Sequence, residues 1–336
     1  MDSTPLLEVR NLKTVFRLDE GTINAVDDVS FTVAPGETLG IVGESGCGKS
    51  VTARSILRIL DARGEITNGE IIYRAPGGKG PIDLVRLDPD GEAIRALRGD
   101  EIALVFQEPM SSFSPVHTVG SQLVEAIRLH RDVSAAEARR IGIETMGKVG
   151  IPYPEQRIDS YAFQLSGGLR QRAMIAIAIS CNPNLLIADE PTTALDVTTQ
   201  AQILDLLREM QRLNGMAIML ITHDLGVIAE MADHVAVMYL GQIAESAPVD
   251  AIFHAPAHPY TKALLASIPS LTGPAGARLA TISGSVPHPS RRPAGCPFHP
   301  RCPSFMPGVC DVREPMPIRL GPDHTVRCHL FDGAAR

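Results

Sequence analysis

Gly43-Glu44-Ser45-Gly46-Cys47-Gly48-Lys49-Ser50 is the stretch on which the reading of this chain turns. It fits the pattern G-x-x-x-x-G-K-[ST] and stands between an apolar strand candidate, Thr38–Val42, and a helical period over Val51–Leu60. That is the context a phosphate-cradling loop requires. Glycines let consecutive backbone N–H groups curl around phosphate oxygens, and the helix start adds positive potential. Lys49 is then expected to reach the β and γ phosphates, and the Ser50 hydroxyl to ligate Mg²⁺, with Val51 next in the binding run.

Downstream, Leu185-Leu186-Ile187-Ala188-Asp189-Glu190 is an apolar strand ending in two carboxylates. With a phosphate loop in the same chain, Asp189 is expected to hold Mg²⁺ and Glu190 to orient and deprotonate the attacking water. Leu165-Ser166-Gly167-Gly168-Leu169-Arg170-Gln171-Arg172 opens a helix shortly before. Ser-Gly-Gly at a helix start is a second anion cradle, and its closeness to Glu190 points to a different ligand from the first loop's.

Further strand candidates are Leu7–Phe16, Ala25–Val33, Glu70–Tyr73, Glu101–Phe106, Ala217–Thr222 and His234–Tyr239. Helical periods lie at Leu169–Cys181, Thr198–Leu213 and Leu225–Met231. Strand, helix, strand in alternation argues an α/β domain on a largely parallel sheet. Between Gln107 and Pro183 the strand signal vanishes, and Ser134 with Glu137 reads as a capping box for a helix to Lys148. This stretch is read as an inserted helical subdomain. The expected division is a core at 1–106 and 183–246, an insert at 107–182 and an extension at 247–336.

The composition fits a globular chain of two or three packed units. Of 336 residues, 44% are hydrophobic and 21% charged, and 31 basic against 38 acidic residues leave a net charge of −7. Such a chain has no global pull toward nucleic acid or anionic lipid. No apolar run approaches the roughly 18 to 20 residues of a spanning helix. Residues 1–10 lack the basic start and apolar stretch of a secretion signal, so the chain reads as cytosolic.

Together with Gln107 in Val105-Phe106-Gln107-Glu108-Pro109, Ala194-Leu195-Asp196 and His223 in Ile221-Thr222-His223-Asp224, these motifs resemble those of the ATP-binding cassette (ABC) ATPases, in the family's order over residues 6 to about 245. The resemblance implies a RecA-like core with an antiparallel β subdomain and an inserted helical subdomain. It implies paired cassettes, each ATP lying between one chain's phosphate loop and the other's Ser-Gly-Gly. Phe16 then stacks on adenine, Gln107 links Mg²⁺ and water to the transporter contact, and His223 senses the γ-phosphate. Asp196 belongs to the loop crossing the dimer, and Ser166, Gly167 and Gly168 clamp the partner's nucleotide. Leu169 departs from the family, which more often has Gln, Met or Glu there. Cys47 and Cys181 read as packing residues.

The tail changes character. Fifteen of the 26 prolines fall in the last 91 residues, which argues against long helices and central strands. Cys296-x₅-Cys302-x₇-Cys310-x₁₇-Cys328 suits a metal better than disulfides in a cytosolic chain. Spacing leaves open an iron–sulfur centre, zinc or no metal, although no close Cys pair of the kind structural zinc favours is present. His299, His324 and His329 are possible zinc ligands, read here as surface histidines. The tail also resembles the C-terminal extension of the oligopeptide/dipeptide/nickel importers, whose hallmark run is His258-Pro259-Tyr260-Thr261-Lys262-Ala263-Leu264-Leu265. Some members carry a [4Fe–4S] cluster in such a tail, which the resemblance implies for the four cysteines.

The implied function is the ATP-hydrolysing subunit of a di- or oligopeptide importer. It would lie peripherally on the cytoplasmic face of the bacterial inner membrane and dock on two permease subunits through a groove near Gln107–Gly120. Its other partners would be a second ATPase chain, commonly a non-identical sister, and indirectly an extracytoplasmic peptide-binding protein. Nickel, glutathione or another small solute is an alternative cargo. A cassette ATPase acting on DNA is a more distant alternative: those carry long coiled coils, whereas 116 residues without sustained heptads separate Lys49 from Ser166.

Overall fold

The computed structural model describes residues 4–78, 80–108, 112–193, 195–268 and 282–333; Pro109 of the glutamine motif and Ala194 before Asp196 lie outside them. In chain order the elements are β1 (Leu7–Leu18), β2 (Gly21–Val33), β3 (Thr38–Val42), α1 (Lys49–Ile56), β4 (Gly64–Tyr73), β5 (Ile82–Asp83), α2 (Glu92–Leu97), β6 (Ile102–Val105), α3 (Val119–His130), α4 (Ala135–Lys148) and α5 (Pro154–Arg157). They continue with α6 (Gly167–Ile179), β7 (Leu185–Asp189), α7 (Val197–Asn214), β8 (Ala217–Ile221), α8 (Leu225–Met231), β9 (His234–Tyr239), β10 (Gln242–Pro248), α9 (Val249–His254), α10 (Pro259–Ala266), β11 (Ile318–Gly321) and β12 (His324–Val326). The chain divides into two compact units: residues 1–7, 33–38 and 72–221, and residues 8–32, 39–71 and 222–336.

In the first unit, β6, β7 and β8 run parallel, pairing Ile102 with Leu185 and Leu185 with Ala217. Every residue of β7 and β8 is buried, which is why both read as unbroken apolar runs: a parallel sheet is covered on both faces. The segment between β6 and β7 is largely helical, as the fading strand signal implied. Leu123, Ile127, Ala138, Met146 and Ile158 are fully buried there. The helix starts are set by side-chain caps. Ser134 accepts the Glu137 N–H at 3.2 Å. The expected reciprocal half of that box is replaced by an ion pair from the Glu137 carboxylate to Arg140.

In the second unit, β3 and β9 pair in parallel (Leu39 with His234), and β9 returns antiparallel as β10 through the tight turn Leu240-Gly241. A second sheet has the order β2-β1-β4. Helix α1 stops at Ile56, short of the expected Leu60, because Arg58 adopts a left-handed backbone (φ 57°) and the Ile59 N–H turns back to the Arg54 carbonyl at 2.9 Å.

The tail is less irregular than its prolines suggested. β12 pairs antiparallel with β10, and β11 with β12, so a short hairpin extends the sheet. β11, four residues between Pro317 and Pro322, and β12, three residues beyond Pro322, tolerate these prolines because both lie outside the strands, where no ladder donor is lost. Val326 and Cys328 bury against Ala257, with Ile318, Leu320 and Phe331 packed around them. Tyr239, Tyr260 and Phe298 form a buried aromatic cluster with ring centroids 4.7–5.3 Å apart.

Candidate functional site

The phosphate loop follows the buried strand β3 and hands over directly to α1. Gly43 has φ 153°, and a Cβ there would fall 2.2 Å from the Met238 carbonyl oxygen. Gly48 has φ 105°, and a Cβ would fall 2.3 Å from the Ala25 carbonyl oxygen. Both positions therefore exclude any side chain. Lys49 is only 6% exposed, and its ammonium curls over the loop to donate to the Gly43 carbonyl at 2.8 Å and the Glu44 carbonyl at 3.3 Å. The Cys47 carbonyl accepts the Gly241 N–H at 2.9 Å, fixing the loop to the β9–β10 turn. Burial pushes the Cys47 thiol above its usual range, in keeping with a packing role.

Glu44 is gripped from the tail. Its carboxylate takes both terminal nitrogens of Arg301, at 2.6 and 3.0 Å, and its backbone N–H donates to the Tyr260 hydroxyl at 2.9 Å. No periodicity signals a pairing across 257 residues, so sequence reading missed it.

In the same unit, Phe16 is half-buried on β1, its ring edge lying 3.0 Å from where a Cβ of Gly64 would sit. His223 is exposed in the turn after β8. Thr222 anchors that turn, donating its N–H to Ile41 at 3.2 Å, and Asp224 caps α8 by accepting the Gly226 N–H at 2.8 Å.

The first unit carries the acidic strand end. Asp189 closes β7 and is 7% exposed. Glu190 follows with a left-handed backbone (φ 48°), a strained setting for a residue with a side chain, held by its N–H to Ile221 at 2.8 Å. Its Oε2 accepts Gln107 Nε2 at 3.1 Å and the Thr193 hydroxyl at 2.8 Å. Two expected site residues 83 positions apart are thus brought together, and Thr193 joins them unforeseen.

Ser166 caps α6, accepting the Leu169 N–H at 3.4 Å, and is exposed, as is Gly167. A Cβ at Gly168 would fall 2.9 Å from the Thr199 methyl, so α6 begins against the first turn of α7. Asp196 caps that turn, taking the Thr199 hydroxyl at 2.7 Å and its N–H at 3.0 Å. Those bonds hold its carboxyl below the usual range. Beside Gln107, a cavity of about 220 Å³ is lined by Phe106, Phe113, Leu129, Met174 and Ile177.

The four tail cysteines share one neighbourhood. Burial pushes Cys296 up to about 12 and Cys328 up to about 11, and in both the thiols of Cys302 and Cys310 add to the rise. Cys302 is raised by burial and, less, by Cys310. The Cys296 N–H donates to the Cys310 carbonyl at 2.8 Å. Among the described residues no group of three or more His, Cys, Asp or Glu is arranged to hold a metal ion. The three histidines are not the surface groups expected. His329 is buried and bonded to Asp332 at 2.9 Å and the Arg313 carbonyl at 2.8 Å; His324 is half-buried on Glu245 at 2.8 Å; His299 meets the Cys296 carbonyl at 2.9 Å.

A family model described as ABC transporter matches residues 26–193, and one described as oligopeptide/dipeptide transporter, C-terminal region, matches residues 244–310. A protein of Brucella abortus named as a peptide import ATP-binding protein is 52% identical over 94% of this chain and 92% of its own. Another of that name from Brucella melitensis is 48% identical over 98% of both chains. Among solved structures, the dimeric ATP-binding cassette MJ0796 in a post-hydrolysis state with ADP and Pi matches with TM-score 0.64 and 26% identity, covering 72% of this chain and 98% of that one. CbiO1 from Clostridium perfringens, part of the ABC transporter complex cbiONQ, matches with TM-score 0.61 and 27% identity, covering 75% of this chain and 91% of that one.

Proposed function

The chain belongs to the ABC transporter family, and from that membership we propose that it is the ATP-hydrolysing subunit of a peptide importer. The observation that carries the reading is the phosphate loop, whose glycines admit no side chain and whose lysine is folded over it. The loop amides from Gly43 to Val51 and Lys49 bind the β and γ phosphates, and Phe16 stacks on adenine. Ser50, Gln107 and Asp189 would supply oxygens for Mg²⁺, which would neutralise charge on the phosphates. Water attacks the γ phosphorus as its proton passes to the Glu190 carboxylate, and the bond to the β-phosphate oxygen breaks to leave ADP and Pi. His223 contacts the γ-phosphate.

The exposed Ser166 and Gly167 at the start of α6, with Asp196 and half-buried Gly168, support pairing with a second cassette, here proposed to be a sister chain. No described helix is long and apolar enough to cross a membrane. Attachment is proposed through two permease subunits, whose helices would seat in the cavity at Phe106 and Phe113, at the cytoplasmic face of the inner membrane. An extracytoplasmic binding protein would deliver the peptide. The division into core (1–106, 183–246), helical insert (107–182) and extension (247–336) assigns these roles to segments. The test is reconstitution with permeases and binding protein in liposomes. Peptide should stimulate ATP hydrolysis and accumulate; stimulation by nickel or glutathione instead would move the cargo to the alternative solute class.

For the tail we propose a [4Fe–4S] cluster held by Cys296, Cys302, Cys310 and Cys328. Supporting it are four cysteines in one neighbourhood of the tail, where the thiols of Cys302 and Cys310 raise both Cys296 and Cys328. The cluster would cross-link the tail and, when bound, offer one-electron chemistry. Because burial raises the Cys296, Cys302 and Cys328 thiols, metal uptake must expel protons, so affinity should rise with pH. Anaerobic purification should give near-stoichiometric iron and sulfide; their absence in fresh protein would remove the assignment.

A further inference from the structure

We infer that Arg301 and Tyr260 are positioning residues of the phosphate loop, through which the C-terminal tail sets nucleotide affinity. The inference rests on the reading of Gly43–Ser50 as an ATP site. Glu44 is the second residue of that loop, and its carboxylate is an anion placed where a triphosphate must be held. Arg301 cancels that charge. Its side chain is 4% exposed, and it grips both carboxylate oxygens at 2.6 and 3.0 Å. The bidentate pairing to Glu44 raises the Arg301 pKa further, so the guanidinium stays charged.

The grip is built rather than incidental. Arg301 Nε donates to the Ser283 carbonyl at 3.1 Å, and its guanidinium lies 5.8 Å from the Tyr239 ring centre, which fixes the plane that Glu44 meets. Tyr260 holds the backbone of the same residue, its hydroxyl accepting the Glu44 N–H at 2.9 Å. Tyr260 is itself fully buried between Tyr239 and Phe298, on a helix whose cap, His258, accepts the Tyr260 N–H at 3.0 Å. Glu245, fully buried, secures that helix start by accepting the Ala257 and His258 N–H groups at 2.7 and 2.9 Å. Charge compensation and backbone placement therefore reach the loop from two tail segments. Arg301 also lies between Cys296 and Cys302, on the turn His299–Arg301, so the cysteine-bearing turn and the loop brace are one element.

The test is equilibrium binding of ATP to the full chain, with melting temperature measured in parallel. Arg301→Gln uncovers the Glu44 charge, and the Kd should rise about tenfold at low salt, with the gap shrinking as salt screens it. Glu44→Gln with Arg301→Gln removes both charges and should return the Kd to within about threefold of wild type. A purely structural role would leave the double variant as weak as the single one, and that result would overturn the inference. Tyr260→Phe keeps the ring packing and loses only the acceptor; its Kd should rise about threefold with an unchanged melting temperature. Should Arg301→Gln fail to fold, wild-type affinity in Tyr260→Phe overturns the inference by itself. Wild-type protein that binds no ATP would instead overturn the nucleotide reading on which the inference stands.

Discussion

The phosphate loop and the end of β7 are both short turns after buried strands, yet they are held in opposite ways. The loop is fixed through its backbone: two glycines abut carbonyl oxygens, the Cys47 carbonyl is tied to the neighbouring hairpin, and Lys49 is almost entirely buried. At the end of β7, Glu190 is held through side chains, with Gln107 and Thr193 meeting one carboxylate oxygen. Holding a polyanion requires donors that stay in place before the ligand arrives. Taking a proton from water requires an acceptor whose other partners aim it without neutralising it. Substitutions should separate the two regions, loop changes acting on affinity and β7 changes on turnover.

The largest effect should come from Glu190→Gln. The amide keeps the shape and can still meet Gln107, but it accepts no proton. The turnover number should fall about 10²- to 10⁴-fold while ATP affinity stays within about threefold. Single-turnover hydrolysis alongside equilibrium binding reads both. Normal turnover would remove Glu190 as the base and dissolve the contrast between the regions.

Lys49→Ala should act the other way. It removes the buried ammonium that the loop's own carbonyls orient, and a charge-assisted bond to phosphate is worth about 1.5–3 kcal/mol, so the Kd for ATP should rise about 10- to 100-fold. The loop backbone keeps its glycines, so melting temperature should move little. An unchanged Kd would mean that the loop does not bind through this lysine.

The same contrast explains what could be read from sequence. β3, β9 and α8 match their expected limits because each is an apolar run closed by a change of residue type. The phosphate loop was legible because backbone geometry dictates its glycines. The end of α1 was not, since a left-handed Arg58 carries no compositional mark. The β11–β12 hairpin was hidden by Pro317 and Pro322, which argue against a central strand but not against strands of three or four residues. The tail histidines looked like surface groups because each finds its partner only once folded, as His324 does on Glu245 across 79 residues. Arg301 on Glu44 is the extreme case: a local motif announced the loop, and only the fold shows what braces it.

Thr193 gives the finest test of the comparison. Its hydroxyl donates to the same Glu190 oxygen that receives Gln107, yet it is exposed and follows Glu190 by only three residues. If it merely capped a turn, Thr193→Val would lower stability slightly and leave the kinetics alone. If it aims the carboxylate, the loss of one hydrogen bond, about 1 kcal/mol, should lower turnover about fivefold at constant ATP affinity. Thr193→Ser keeps the donor and should restore the rate. A rate loss in the serine variant with a normal rate in the valine variant, which keeps the methyl, would assign the effect to packing by that methyl group. Rescue by serine would place Thr193 with Gln107 as a side-chain support of the acidic site, the opposite of the glycine-fixed loop.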